Sequence, residues 1–541
     1  MSKYIFVTGG VISGLGKGVS AASLGLLLKS RGYSVFVLKL DPYLNIDPGV
    51  MSPYEHGEVF VTEDGGETDL DLGHYERFIN ENFFKDSNYT SGKIFNNIFT
   101  KERQGFYSGK TVQYIPHVTN EIKNVIKNIE KKYKKDFIIV EIGGTVGDIE
   151  SNPFIYAISE LAYEANEEKT FFIHVTYVPY LNTSKEFKTK PSQYSINTLR
   201  SMGIKANMIL LRSDNEIETK VIEKISKISF LNKENVISIY DLDNVYKSPL
   251  LLEEKKADQL ILKYFNLPVN KNKALNKWKE FVKLSEKPAK GELNVKLIAK
   301  YSEFQDAYKS IIEALKISAI YKEQKLNLDF INSEELNEKT ADKLLNNSDA
   351  ILIMPGFGVR GFEGKIFAAQ YARDKNIPTL GICLGMQAMT IAQARNKGIK
   401  NATSKEFLGE KEDEVYVLDL IKGKNKNNIG GTLRLGRSEI ILKNDSVIAN
   451  IYKTTNIFER HRHRYEVQEK FVNILEDENF VFSGRSVKNN LIEICEDKSK
   501  DFYIGVQYHP EFHARPLEPH NLFTTLIEKT IERKKRKNAK Q

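Results

Sequence analysis

Cysteine is nearly absent from this 541-residue chain, which carries only Cys383 and Cys495. That scarcity excludes a disulfide framework, and both thiols are expected to be reduced. No apolar run approaches the ~20 residues of a membrane span, and Met1-Ser2-Lys3-Tyr4 leads into a strand instead of a signal peptide. A cytoplasmic protein with no membrane partner is expected. Aromatic residues are missing among the charges of the basic end, Arg533–Lys537 and Lys540, which contributes to the net charge of +8. Residues 533–541 therefore read as a solvated, disordered tail, and no nucleic-acid partner is expected. With 41% hydrophobic residues, the remainder can bury sizeable cores, for two to four domains at roughly 100–200 residues each.

The stretch Gly9-Gly10-Val11-Ile12-Ser13-Gly14-Leu15-Gly16-Lys17-Gly18-Val19-Ser20 is what the N-terminal half is organised around. Tyr4–Thr8 is a short run of β-formers, and Ser20–Lys29 carries leucines at helical spacing, so the glycines occupy a strand-to-helix turn. Backbone N–H groups of such a turn close around an anion, the helix N-terminus adds positive potential, and Lys17 can reach the outer phosphates of a nucleotide. The strict Walker spacing is not met, because position 18 is glycine and the residue five before Gly16 is Val11.

A second strand, Ser34–Leu40, ends in Lys39 and Asp41, which face the same ligand as the first loop. Seven carboxylates follow between Glu55 and Asp71. They would repel one another unless a cation or basic groups sat among them. A metal is the economical reading, and a plain acidic surface loop is the alternative. Phe137–Val140 is a buried-strand run ending in Glu141, the position from which an acid on a neighbouring parallel strand can hold Mg²⁺; Asp71 and Glu141 with a triphosphate would suffice. Lys185, Lys188 and Lys190 alternate with Thr, Ser and Gln up to Gln193, which suits a second polyanion or simple solvation.

Composition shifts near Leu267. A polar segment precedes a bridging helix, Ala274–Ser285, with the single tryptophan, Trp278. Val295–Ala299 opens a second α/β domain. Lys422–Asn428 is a polar surface loop. In the second domain, Gly381-Ile382-Cys383-Leu384-Gly385 is the cysteine version of the nucleophile elbow, which exposes a thiol at a helix N-terminus where thiolate is favoured. Cys495, inside an apolar strand, reads as buried and inert. His509 ends a strand, with Glu511 two residues on, and together they supply a base and its orienting acid. Arg460-His461-Arg462-His463-Arg464 could be read as a metal site, but its arginines would repel a cation and suit carboxylate recognition. The Met354–Gly358 turn can offer an oxyanion N–H together with that of Leu384.

The motifs GGVxSGLGKG, Lys39–Tyr43, His56–Gly65, Lys188–Gln193, GICLGMQ and HPE together resemble the cytidine triphosphate synthases over nearly the whole chain. The resemblance implies an α/β fold of two domains: a phosphate-loop parallel sheet with flanking helices over 1–267 and a class I glutamine amidotransferase over 295–532, joined by a linker at 268–294. It implies amination of UTP to CTP with ammonia from glutamine, driven by ATP through a 4-phosphorylated UTP. It also implies Mg²⁺, GTP as activator, CTP as feedback inhibitor and a homotetramer.

Carried over by position, Gly14, Leu15, Gly16, Lys17, Gly18, Val19, Lys39 and Asp71 serve ATP, with Tyr240, Asp241 and Leu242 beside its adenine. Asp71 and Glu141 hold the metal. Ser13, Asp148, Ile149, Glu150, Lys188, Thr189, Lys190, Pro191, Ser192, Gln193 and Lys224 take UTP and CTP. Cys383, His509 and Glu511 match the glutaminase triad, with Gly356, Leu384, Gly385, Met386, Gln387, Glu406 and Arg464 on glutamine.

One departure stands out. The family usually shows Pro-Gly-Gly-Phe-Gly at the oxyanion turn, whereas Met354-Pro355-Gly356-Phe357-Gly358 has one glycine fewer. Pro355 has no N–H, so Gly356 or Phe357 must be the donor. Two other readings fit parts of the pattern: an amidoligase that aminates a carboxylate, as the cobyrinate amide synthases do, and a nucleotide switch carrying a glutaminase as a docking module.

Overall fold

Runs such as Tyr4–Val7 and Phe137–Val140 can be buried on both faces only in a parallel sheet with helices on either side. The computed structural model describes residues 2–12, 14–165, 167–272, 274–407, 413–422 and 430–539. The chain divides into two units, the first comprising Met1–Pro48 and Asp71–Val282, the second Gly49–Leu70 and Lys283–Gln541.

In the first unit, strands β1 (Lys3–Gly10), β2 (Val35–Asp41), β3 (Asn88–Thr90), β4 (Phe137–Ile142), β5 (Thr170–Tyr177), β6 (Met208–Ser213) and β7 (Val236–Tyr240) form one sheet. Their order is β7-β6-β5-β1-β4-β2-β3, and every pairing is parallel. β1 therefore ends between β4 and β5, with Val7 opposite Glu141 and Thr8 opposite His174. Helix α1 (Lys17–Ser30) leaves the phosphate loop from Gly16, whose φ of 80° places it in the left-handed region that glycine tolerates. Nearly all of α1 is buried, as expected for a helix covered by sheet on one side and by α2 (Asp71–Ile79) on another.

The bridging helix expected within 268–294 is present as α5 (Leu275–Ser285), where Trp278 is fully buried, donates to the Tyr246 carbonyl at 2.8 Å and lies 5.2 Å from the Phe78 ring. An apolar stripe of Leu275, Trp278, Phe281 and Val282 needs a surface to cover it.

The second unit holds β8 (Gly291–Ala299), β9 (Gln324–Asn332), β10 (Ala350–Ile353), β11 (Thr379–Ile382), β12 (Arg434–Leu442), β13 (Asn456–His463), β14 (Phe480–Ser486), β15 (Ile492–Asp497) and β16 (Tyr503–Val506). Their order is β9-β8-β10-β11-β16-β15-β14-β12-β13. The half from β9 to β16 is parallel, and the rest is an antiparallel wing. Helices α6 (Lys309–Tyr321), α7 (Phe362–Asp374), α8 (Leu384–Asn396) and α9 (Asn521–Asn538) pack in this unit. The expected disordered tail is instead helix as far as Asn538. Arg533 Nε donates to the Asn376 carbonyl at 2.9 Å, Lys534 pairs with Asp349 at 2.8 Å, and Arg536 pairs with Asp501. Basic residues suit a helix C-terminus, and two carboxylates hold these in place. Val415–Leu420 is a strand as expected. The polar loop predicted after it falls, from residue 423 on, outside the described residues.

Candidate active sites

The first candidate site lies at the C-terminal ends of β1, β2 and β4. Lys17 folds back so that its Nζ donates to the Gly144 carbonyl at 2.9 Å. Lys39 Nζ bridges Asp71 Oδ2 at 2.5 Å and Glu141 Oε1 at 2.9 Å, and lies 3.8 Å from Asp41. Glu141 is fully buried, and its other oxygen accepts from the Tyr75 hydroxyl. A Cβ at Gly18 would overlap the Asp71 carboxylate, so that acid lies directly against the first turn of α1. Burial lowers the Lys17 pKa, and the charge of Glu141 works against that. Two carboxylates converging on one cation beside a phosphate loop match the oxygen donors that Mg²⁺ takes. Val11, with φ 92°, is a β-branched residue in the left-handed region, strain of the kind found in ligand loops. Ser13 lies outside the described residues.

Other residues carried over by resemblance lie on the turn after β4, on the segment after β5, on the helix after β6 and at the end of β7. Asp148–Glu150 form exposed turns after β4, with Ile149 at the surface. Lys188 pairs with Glu186, Gln193 Nε2 donates to Thr189 Oγ1 at 2.8 Å, and Ser192 Oγ donates to the Tyr177 carbonyl at 2.7 Å. Lys190 and Pro191 open helix α3 (Lys190–Ser201). Lys224 sits on the exposed face of α4 (Thr219–Ser229), and among the described residues no hydrogen bond or ion pair joins it to that loop. Tyr240 ends β7, and Asp241 pairs with Arg212.

The acidic stretch corrects the metal expectation. Glu58 accepts from Ser310 N at 3.0 Å, near the start of α6. Glu63 takes Arg460 Nε at 3.2 Å and His513 Nε2 at 2.8 Å, and Glu67 takes Arg462 Nε at 2.9 Å. Asp69 pairs with His56 at 3.3 Å, and Asp64 accepts from Thr62 Oγ1 at 2.7 Å. Basic groups, not an ion, offset the repulsion, and only Asp71 belongs to the phosphate-loop unit. Burial alone would raise the Glu63 carboxyl; His513 and Arg460 outweigh it and hold it at about 2. Arg460 and Arg462 of the Arg460–Arg464 run thus do recognise carboxylates. His461, His463 and Glu493 converge closely enough to hold a metal. Arg434 lies among them, 2.5 Å from Glu493 and 3.3 Å from His463 Nε2, and puts a fixed cation there instead.

The second candidate site is in the second unit. Cys383 stands at φ 53°, ψ −104° between β11 and α8, the strained backbone of a nucleophile elbow. A Cβ at Gly385 would overlap the Ile353 carbonyl, which is why glycine follows the thiol so closely. His509 Nδ1 is 2.7 Å from Glu511 Oε1. Its Nε2 is buried with no partner among the described residues, which leaves that nitrogen for the thiol proton. Burial would lower the imidazole, but the Glu511 carboxylate and Cys383 reverse this and raise it to about 10.

Cys383, His509 and Glu511 line a cavity of about 730 Å³ together with Gly356, Glu406, Arg464 and Tyr465. Glu406 accepts from Gly358 N at 2.8 Å. Leu384, Gly385, Met386 and Gln387 are buried on α8 and are not among the residues that line that cavity, and the Gln387 amide donates to the Cys383 carbonyl at 3.2 Å. Cys495 is buried, and burial pushes its thiol up to about 12, consistent with an inert side chain. Sequence reasoning missed Gln507, whose Nε2 lies 3.5 Å from Cys383 Sγ and whose Oε1 accepts from Gln387 at 3.0 Å.

A thiol elbow backed by a histidine–glutamate pair defines a glutamine amidotransferase domain of class I, and here it shares a chain with a phosphate-loop α/β unit. Residues 3–267 match the family model described as CTP synthase N-terminus, and residues 303–529 match glutamine amidotransferase class-I. The chain is 56% identical to a CTP synthase of Mycoplasmopsis pulmonis, covering 98% of each chain. It is 50% identical to one from Hydrogenobaculum sp., covering 99% of each. A solved Trypanosoma brucei CTPS glutaminase domain with bound acivicin is 32% identical, with a TM-score of 0.42, over 44% of this chain and 94% of that one. The chain belongs to the CTP synthase family. It is a ligase that converts UTP to CTP with glutamine as nitrogen donor, a step of pyrimidine biosynthesis.

Proposed function

We propose that Cys383 is the nucleophile of glutamine hydrolysis and that the phosphate loop with Lys17, Lys39, Asp71 and Glu141 carries the phosphoryl step. The observation that supports this most is the Cys383–His509–Glu511 set in one cavity, with a ring nitrogen buried and unpaired toward the thiol. Cys383 Sγ attacks the carboxamide carbon of glutamine. As the C–N bond breaks, His509 gives its Nε2 proton to the departing ammonia. Water, deprotonated by the same nitrogen, then cleaves the thioester to glutamate. Glu406 and Arg464 on the cavity wall suit the charged end of the amino acid.

In the other half, the γ-phosphoryl of ATP passes to the uracil 4-oxygen. Ammonia then attacks C4 and phosphate leaves with that oxygen. Lys17 and Lys39 offset the charge of the transferred group. Asp71 and Glu141 would hold Mg²⁺, which when bound supplies charge neutralisation on the phosphates of ATP. Lys188–Gln193, Asp148–Glu150, Ser13 and Lys224 would take UTP, and CTP as inhibitor, while Tyr240–Leu242 would lie beside adenine. Family membership supports activation by GTP and assembly as a homotetramer. Among the described residues no helix is long and apolar enough to cross a membrane, in keeping with a cytoplasmic location. The test is an absorbance assay for CTP with ATP and Mg²⁺, with and without UTP, supplying either glutamine or ammonium. CTP formation from both nitrogen sources, strictly dependent on UTP, is expected.

A further inference from the structure

Lys365 is a lysine at a core position. It lies on α7 with Phe362, Ile366, Ala369 and Ala372, all buried, and its own side chain is fully enclosed. Its Nζ donates to two consecutive carbonyls, Met354 and, at 3.3 Å, Pro355. These are the carbonyls of the turn where the chain has proline in place of the family's glycine. In a trans peptide the N–H points opposite to the C=O, and the Pro355–Gly356 bond is trans. Holding the Pro355 carbonyl on Lys365 therefore turns the Gly356 N–H away from α7, and Gly356 lines the cavity that holds Cys383.

The next peptide but one obeys the same logic in plain view. Lys300 Nζ holds the Phe357 carbonyl, and the N–H of that peptide, on Gly358, points the other way and donates to Glu406 at 2.8 Å. Met354 N is tied to the Ile298 carbonyl at 3.1 Å, so the turn is anchored at its base as well.

We propose that Lys365 is a positioning residue for glutamine hydrolysis: it fixes and polarises the Pro355–Gly356 peptide so that the Gly356 N–H is presented to the oxyanion formed when Cys383 adds to the amide. A donor on a carbonyl strengthens the N–H of the same peptide. An oxyanion donor must be aimed before the charge develops, since reorientation would cost the advantage. The charge also responds to the nucleophile. Burial and Lys300 lower Lys365 to about 7, whereas negative charge at Cys383 raises it.

This rests on Cys383 being the nucleophile. Alkylation with iodoacetamide needs the thiolate but no oxyanion donor. Glutamate γ-semialdehyde needs both, because its carbonyl carbon bonds to sulfur and its oxygen takes the charge. Lys365→Met keeps the bulk and removes the donor. Its kcat for glutamine hydrolysis is expected to fall on the order of 10–100-fold, somewhat less than deletion of a direct oxyanion donor. KM should be little changed, inhibition by the semialdehyde should weaken in parallel, and the rate of Cys383 alkylation should stay normal. Lys365→Gln, which can still donate to one carbonyl, should recover part of the rate. Normal hydrolysis in Lys365→Met, parallel loss of hydrolysis and alkylation, or a Lys365→Gln variant no better than Lys365→Met would each overturn the role. Glutamine hydrolysis by wild-type enzyme already alkylated at Cys383 would instead overturn the nucleophile assignment on which it rests.

Discussion

The turns that open α1 and α8 treat charge in opposite ways. Around α8, charged groups rest on partners that leave the thiol free to react, with His509 on Glu511, Glu406 on Gly358, and the lysines 300 and 365 on backbone carbonyls. At α1, Lys39 lies between Asp71 and Glu141, while Lys17 rests on the neutral carbonyl of Gly144 and brings its charge to the loop. A site for a neutral carboxamide can be assembled from groups that satisfy each other, since the substrate brings no net charge to its reacting end. A site for triphosphates needs surplus charge that the ligand itself will balance. The two are therefore vulnerable in different places: the glutaminase to loss of geometry, the synthetase to loss of a single charge.

The largest contrast expected between them is a double dissociation. Cys383→Ala should abolish CTP formation from glutamine and leave formation from ammonium near normal, whereas Lys17→Ala or Asp71→Asn should abolish both and spare basal glutamine hydrolysis. Product assays with each nitrogen source check this. Glutamine-dependent synthesis by Cys383→Ala, or normal ammonia turnover by Lys17→Ala, would end the division of labour.

Next in size, His509→Gln should lower glutamine hydrolysis by ~10²–10⁴-fold, the usual worth of a positioned acid–base group. His509 is held at about 10 and so stays protonated through neutral pH, losing its charge only as pH rises toward that value. Removing this cation takes a positive charge from beside Cys383, so alkylation of Cys383 at pH 7 should slow. An unchanged alkylation rate would separate the imidazole from the thiol.

Lys188→Ala probes the polyanion side. A charge-assisted contact is worth on the order of 1.5–3 kcal/mol, so the UTP concentration giving half-maximal rate should rise about 10–100-fold, with CTP inhibition weakening alongside. UTP kinetics unchanged by the substitution would remove the loop from the site.

The smallest effect expected is on stability within the second unit. Glu63 sits at about 2 when folded, below the ordinary carboxylate range. Its contribution is present above the unfolded pKa and is lost as pH falls through about 2. Glu63→Gln should therefore lower Tm near neutral pH by roughly 2–4 °C per kcal/mol lost, and the two melting curves should converge in acid. A constant offset at every pH would mean that the pairing with Arg460 and His513 contributes nothing.

Local pattern carried much of this molecule. The strand–glycine–helix alternation around Gly16 and around Cys383, the acid at the end of β4 and the His509–Glu511 spacing are short-range features, and each is read from a window of about ten residues because backbone conformation and burial are set locally there. Ser13, Lys224, Tyr240 and Glu406 were named through family resemblance alone; their residue types carry no local signature. Tertiary structure decided which carboxylates answer to which cations. Nothing in the order of the chain says that Glu63 and Glu67 meet Arg460 and Arg462, 397 and 395 residues away, or that Arg434 enters the His461–His463–Glu493 cluster. Lys365 lies between these cases. It stands in register with Phe362, Ile366 and Ala369 as a charge on a buried helix face, and only the fold shows that two carbonyls of the oxyanion turn are its partners. Sequence periodicity determines which face of a helix is buried, whereas what that face meets depends on contacts whose partners are distant along the chain.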